Sequence, residues 1–393
     1  MERYTIEKSV SGRYLYMQNA AVIRTMIDTA VKNGTRQAVL TGDFSVEHTI
    51  FLPSDFTLIL DNAHLTMAEG TFCNMFRNEH SPRYTADEYG DCTASADRHA
   101  KDPGRTEAGT DRNIRILGRG KAVLDGGIYN GLCEGNSTKD GRPHISVNNL
   151  ILFTNVEGFA VEGLQIRNQR WWALNFIYCG GGTLRNLDFC SDDTMVLPDG
   201  SRVHGLRRDS YGSVYIKNSD GIDLRTGCHD ILIENITGFT EDDTVALTGL
   251  PGKMEQLYAV AGKSSAIRNV IIRNVQSAAY CSNVRLLNQG GISLYNILID
   301  GVMDTSADSP HLDRGIHAVR IGDNHLYGSR HSTPEETGNI TVRNVYGRGT
   351  SVVQLAGAIT NLVLDNICAF DGCTKPVDNQ AKLYSAAGEE ITL

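Results

Sequence analysis

The 393-residue sequence predicts an all-β solenoid: a parallel β-helix with a short N-terminal capping helix and long loop insertions. Three observations carry this. First, an apolar–x–apolar triplet, then a polar residue (often Asn), then another apolar residue recurs from Asn113 onward, as in FAVEGLQIRN (159–168), DILIENITGF (230–239) and NITVRNVYG (339–347). Second, one apolar position marks successive copies at Leu164, Leu187, Ile236, Val275, Val302, Val345 and Ile367, in steps of 23, 49, 39, 27, 43 and 22 residues. The short steps fit one coil of a solenoid and the long ones a coil with an insertion. Third, helical periodicity is confined to one segment. A three-residue strand cannot bury its own apolar side chains, so coils must stack at the ~4.8 Å inter-strand spacing to form one continuous core.

That one segment is 18–33, QNAAVIRTMIDTAVKN. Val22, Ile23, Met26, Ile27, Ala30 and Val31 share a helical face, and Asn33-Gly34 stops the run. It is expected to cap the open end of the solenoid, within an N-terminal cap of 1–36. Coils are expected over about 37–370, beginning with strands Gln37–Leu40, Thr49–Leu52 and Phe56–Leu60. Polar insertions interrupt them at 78–112, 127–148 and 195–212, too long for passive connections in a compact domain. A non-repeating tail, 371–393, completes what is expected to be a single domain. Asn at the turn positions tolerates left-handed backbone and can form side-chain ladders between stacked coils.

The net charge of −9 comes with no Lys/Arg block, which argues against a nucleic-acid partner, and no apolar run is long enough to cross a bilayer. Nine cysteines without C-x-x-C spacing and the absence of a leader-like apolar stretch in the first residues predict free thiols and a cytoplasmic protein, with a secreted mature form as the alternative. Metal-ligand spacing is absent, so neither a metal nor a cofactor is expected; the pair Asp192-Asp193 and His204 fall in loop-like segments and are read as solvated or cleft-lining. The sequence is compatible with a homo-oligomer.

A second strand of each coil aligns by its apolar core: Leu174–Phe176, Ile222–Leu224, Val245–Leu247, Val284–Leu286, Val319–Ile321 and Val353–Leu355. Two residues before each core the column reads Trp172, Asp220, Asp243, Ser282, His317. One residue earlier it reads Trp171, Ser219, Asp242, Cys281, Ile316. Within the strands, Asn175, Asp223, Ala246, Arg285, Arg320 and Gln354 alternate away from the core and are expected on the outer surface. Asp220, Asp242 and Asp243 are therefore expected within one coil spacing of one another, with Trp172 on one side and Arg285, His317 and Arg320 on the other.

A single Asp in a turn needs no function, because Asp is a good turn former. Three in register repel one another, so at least one should hold its proton near neutral pH beside an ionised neighbour. An acid beside a base is what cleavage of a glycosidic bond requires. Around them, Trp172 is either a sugar-stacking platform or a core residue. Arg285 and Arg320 can grip a carboxylate or hydroxyls, or pair with the aspartates themselves. His317 and Asn175 complete the candidate binding set.

These motifs resemble glycoside hydrolase family 28, the polygalacturonase family of the pectin-lyase-fold superfamily. NSDGID (218–223) is similar to its Asn-Thr-Asp-Gly-x-Asp motif, EDDTVAL (241–247) to its Asp-Asp motif one coil later, and RWWALNFIYC (170–179) to the Trp-containing coil of its exo-acting members. The resemblance implies a right-handed β-helix and an inverting, exo-acting hydrolase of a plant-type oligosaccharide. It implies Asp242 as general acid and Asp220 with Asp243 activating water. The chain departs from the family's Gly-His-Gly turn at Tyr280-Cys281-Ser282, from its Arg-Ile-Lys triplet at Arg320-Ile321-Gly322, and from the Lys of exo-acting members at Thr248. Recognition of a uronate is therefore less supported than the reaction class. Competing readings are a lyase, epimerase or glycosyl-transferring enzyme on the same scaffold, and a non-catalytic carbohydrate-binding solenoid.

Overall fold

The structure, a computed structural model, describes residues 18–68, 73–82, 109–127, 149–169, 172–196, 202–205, 219–323 and 332–393. Most of the insertions expected at 78–112, 127–148 and 195–212 lie outside the described residues, as do Trp171 and Asn218.

Two parallel sheets run the length of the chain as the walls of a β-helix. The long sheet stacks strands of up to 13 residues in the order 37–46, 56–67, 111–119, 156–167, 180–190, 229–240, 267–279, 294–304, 337–347 and 358–369. Its register pairs Leu164, Leu187, Ile236, Val275, Val302, Val345 and Ile367 in one line, the apolar ladder expected from the repeat. The same strands bend where an Asn adopts positive φ, as at Asn186, Asn235, Asn274, Asn344 and Asn366. Outside those bends the amides form the expected ladder: Asn274 Nδ2 donates to Asn235 Oδ1 at 2.8 Å, and Asn235 Nδ2 to Asn186 Oδ1 at 3.0 Å.

The short sheet carries the aligned strands: β1 (Leu174–Ile177), β2 (Ile222–Arg225), β3 (Val245–Gly249), β4 (Ser282–Asn288), β5 (His317–Ile321) and β6 (Ser351–Leu355). Leu174, Ile222, Val245, Val284, Val319 and Val353 are direct partners, the register read from the sequence. These residues and the apolar ladder of the long sheet form one buried core along the solenoid.

Helix α1 (Ala20–Lys32) begins where Asn19 Oδ1 accepts from Val22 N and ends at Asn33, before Gly34 at φ +72°. Its Ala20, Ile23, Met26, Ile27 and Ala30 face enters the same core at one end of the stack. The tail has more structure than its lack of repeats suggests: 377–379 and 382–384 extend the two sheets, and 390–391 pairs antiparallel with 382–384. The seven described cysteines are free thiols. No helix among the described residues is long and apolar enough to cross a membrane.

Candidate active site

The short-sheet register brings the acidic turns together. Gly221 permits the approach, since a Cβ there would stand 2.5 Å from Thr244 O. Asp243 then donates its backbone N–H to Asp220 Oδ1 at 3.2 Å, and Ser219 N donates to Glu241 Oε2 at 3.4 Å. A buried hydroxyl network fixes the Asp242–Asp243 turn: Thr244 Oγ1 lies 2.9 Å from Thr240 Oγ1 and 2.8 Å from Ser277 Oγ, which accepts from Asn283 Nδ2 at 2.8 Å.

The structure thus places Asp220, Asp242 and Asp243 side by side and adds a fourth carboxylate, Asp223. Asp220 and Asp223 are buried, and Asp242 and Asp243 half-buried. Burial pushes the Asp220 carboxyl well above the usual range, and the charges of Asp223, Asp242 and Asp243 push it further. Asp242 is likewise well above that range, first from burial and then from Asp243, with a hydrogen bond involving Cys281 opposing. Burial raises Asp223 to about 7 against the pull of Arg225. Asp243 is also raised by burial, but Arg285, Ser282 and Arg320 favour its charged form. These groups titrate together, so protons belong to the cluster more than to single residues.

The flanking residues occupy the expected columns but not the expected open surface. Asn175 is fully buried, with Nδ2 donating to Asn149 Oδ1 at 2.9 Å. Arg285 is buried and donates through Nη1 to Gly322 O at 2.6 Å and Leu286 O at 3.0 Å. His317 is buried, its Nδ1 2.9 Å from Ser351 Oγ. Arg320 is half-buried. Alternation along the strand does turn these side chains away from the core; neighbouring coils then bond to them there, at Asn149, Gly322 and Ser351.

Of the two readings of Trp172, its burial fits the core one. It is 8% exposed, and the Arg225 guanidinium lies 3.9 Å from its ring centroid, so one face is already taken. It packs with Leu152, Ile177, Tyr178 and Tyr258. Arg225 in turn meets Asp223 at 3.4 Å and Glu255, which accepts from Arg225 Nε at 2.9 Å. Glu255 lies on the short helix α2 (Lys253–Leu257). Sequence reasoning missed Arg225 and Glu255, because nothing local links positions 30 residues apart. Asp223 was visible as part of NSDGID and of the outward column.

Position 322 also explains a departure from the family pattern. Gly322 has φ +84°, and a Cβ there would stand 1.9 Å from Ala356 O. No lysine fits on this backbone.

Of the pair Asp192-Asp193, read as solvated, Asp193 meets His204 and His311. His204 Nδ1 lies 3.2 Å from Asp193 Oδ1 and His311 Nδ1 2.8 Å from Asp193 Oδ2.

No protein-family profile and no curated protein matches the sequence. Solved structures do. A tailspike protein double mutant of E. coli bacteriophage HK620 matches with a TM-score of 0.51 at 12% identity over 96% of this chain and 65% of that one. A tailspike mutant of the same phage in complex with pentasaccharide gives 0.50 at 13%, over 96% and 63%. An exopolygalacturonase from Thermotoga maritima gives 0.46 at 15%, over 93% and 89%. The chain therefore spans under two thirds of those tailspike chains. The shared architecture is the right-handed parallel β-helix, the hand expected of parallel crossover connections.

Proposed function

We propose that the chain is an inverting glycoside hydrolase acting on an oligosaccharide, exo-acting and polygalacturonase-like in its reaction. The observation that carries this reading is the cluster of Asp220, Asp223, Asp242 and Asp243, held in register on adjacent coils with their proton affinities raised. Asp242, holding its proton, is the general acid that protonates the leaving oxygen. Asp243 is the better of the two assigned bases: Arg285 and Arg320 favour its carboxylate, whereas burial keeps Asp220 protonated. Asp220 positions this base by accepting the Asp243 backbone N–H. Water activated by Asp243 attacks the anomeric carbon from the face opposite the leaving group and inverts its configuration.

The substrate reading is set by which cations remain. Position 322 is closed to lysine, and Arg285 is committed to two backbone carbonyls. Arg320 favours the charged form of Asp243. Among the described residues, this favours a neutral glycosyl unit over a uronate in the bond-cleaving position.

The test is a screen of p-nitrophenyl glycosides and pectin-derived oligosaccharides with the wild type and Asp242→Asn. Turnover with inversion, read by NMR of the first-formed anomer, and its loss in the variant with ligand binding kept, is the expected result. Unchanged turnover in Asp242→Asn overturns the assignment of the acid. A product absorbing near 235 nm identifies β-elimination and a lyase instead.

A further inference from the structure

We propose that Asp192, Asp193 and His204 form a site for a divalent transition-metal ion, separate from the aspartate cluster and independent of the hydrolase reading. The local chain builds it. The strands 194–196 and 202–204 form an antiparallel hairpin in which Thr194 pairs with His204, so the imidazole returns beside the Asp192-Asp193 pair. One donor atom from each of the three residues lies within 4.8 Å of the others.

The spacing suits an ion. Nitrogen and oxygen ligands ~2.1 Å from a tetrahedral Zn²⁺ stand roughly 3.3 Å apart. His204 Nδ1 and Asp193 Oδ1 are 3.2 Å apart. The other separations are at most 4.8 Å, and rotation of the 78% exposed His204 side chain about its own bonds would shorten them on binding.

A second observation fixes the carboxylate from behind. His311 reaches Asp193 Oδ2 at 2.8 Å, its ring stacks on Phe239 at 5.1 Å and 23°, and its Nε2 lies 3.6 Å from Cys190 Sγ. A carboxylate oxygen only accepts, so His311 Nδ1 carries the proton and Nε2 accepts from the thiol. That arrangement orients Asp193 with Oδ1 toward His204 Nδ1, where an ion would replace the proton between them, the role that outer partners of metal ligands play. A cavity of about 380 Å³ lies along Cys190 and His311, the groups behind Asp193. Two carboxylates and an imidazole with open positions suit Zn²⁺, Mn²⁺ or Co²⁺ better than soft Cu⁺ or an all-oxygen Ca²⁺ site.

The experiment uses metal-stripped full-length chain, titrated with Zn²⁺ by calorimetry and with Co²⁺ by visible absorption. One ion per chain is expected, with the melting temperature rising as Zn²⁺ is added. Asp193→Asn and His204→Ala should each weaken binding at least ~10-fold. His311→Phe keeps the stacking on Phe239 but loses the N–H, and should weaken it ~10–100-fold. His64 forms a comparable exposed pair with Asp125 at 3.3 Å, so His64→Ala is the control and should change nothing. Absence of stoichiometric binding, binding untouched by Asp193→Asn and His204→Ala, or binding lost in His64→Ala each overturns the site. The readout is binding, so a failed glycosidase assay does not affect it.

Discussion

The backbone N–H of Asp243 bonds to Oδ1 of Asp220 at 3.2 Å, across 23 residues of sequence and one coil of the solenoid. Through that contact each carboxylate takes its position from the other's turn. The stack places four acids in a space where burial and mutual repulsion raise all their proton affinities.

The pH dependence of activity should reflect this. Asp242 must be protonated, so kcat/KM should fall ~10-fold per pH unit above the titration of the acid. Below the titration of the base it should fall as Asp243 takes up a proton. Arg320 helps keep Asp243 charged, so Arg320→Gln should move the acidic limb upward by roughly half to one pH unit and leave the alkaline limb in place. Profiles measured from pH 4 to 9 for both proteins check this; an unmoved acidic limb removes Arg320 from the base's surroundings.

Stability should carry the opposite signature of a functional site. Asp223 titrates near 7 in the folded chain and near 3.9 when unfolded. The folded state binds this proton more tightly, so its contribution to stability is fully present below about pH 4, declines as pH rises to about 7, and is flat above. Asp223→Asn should abolish that decline and be the more stable protein at pH 8, by at most about 4 kcal/mol. Urea denaturation at pH 5 and pH 8 compares the two.

The pair beneath Trp172 should behave differently. Arg225 and Glu255 are both buried and bonded at 2.9 Å. Glu255→Ala leaves a buried guanidinium with the Trp172 ring and a 3.4 Å contact to Asp223, and should cost about 3–5 kcal/mol. Glu255→Gln, which retains an acceptor oxygen, should cost less. A shift in the urea midpoint that is small for both variants means the pair contributes little.

The Asn ladder should be separable into backbone and side-chain parts. Asn235 sits at φ +57° and bonds to Asn186 and Asn274. Asn235→Gly keeps the left-handed bend and loses only the amide ladder; Asn235→Ala loses both and should be the worse by about 1 kcal/mol. Equal urea midpoints for the two would show that the bend carries no strain.

Much of the solenoid was legible because its core is a local pattern repeated. One apolar position per coil, from Leu164 to Ile367, is enough to set the stacking register, since a slip by one residue would turn each strand's apolar side chains out of the core. The alignment of Ile222 with Val245, and hence of Asp220 with Asp243, follows from the same constraint. The tail strands 377–384 escaped notice because they extend the sheets without the repeat's Asn and apolar marks.

What the sequence determined by itself is therefore the β-helix, its register and the meeting of three aspartates in one column, because stacked coils convert sequence period into spatial neighbours. Tertiary structure alone decided what covers that column. Arg225 on the face of Trp172, Glu255 beneath it and the gathering of Asp193 with His204 and His311 join segments with no common period. The burial of Asn175, Arg285 and His317 rests on contacts with neighbouring coils, at Asn149, Gly322 and Ser351, whose closeness depends on side-chain packing. The electrostatic consequences appear only once the water that would screen those charges has been displaced.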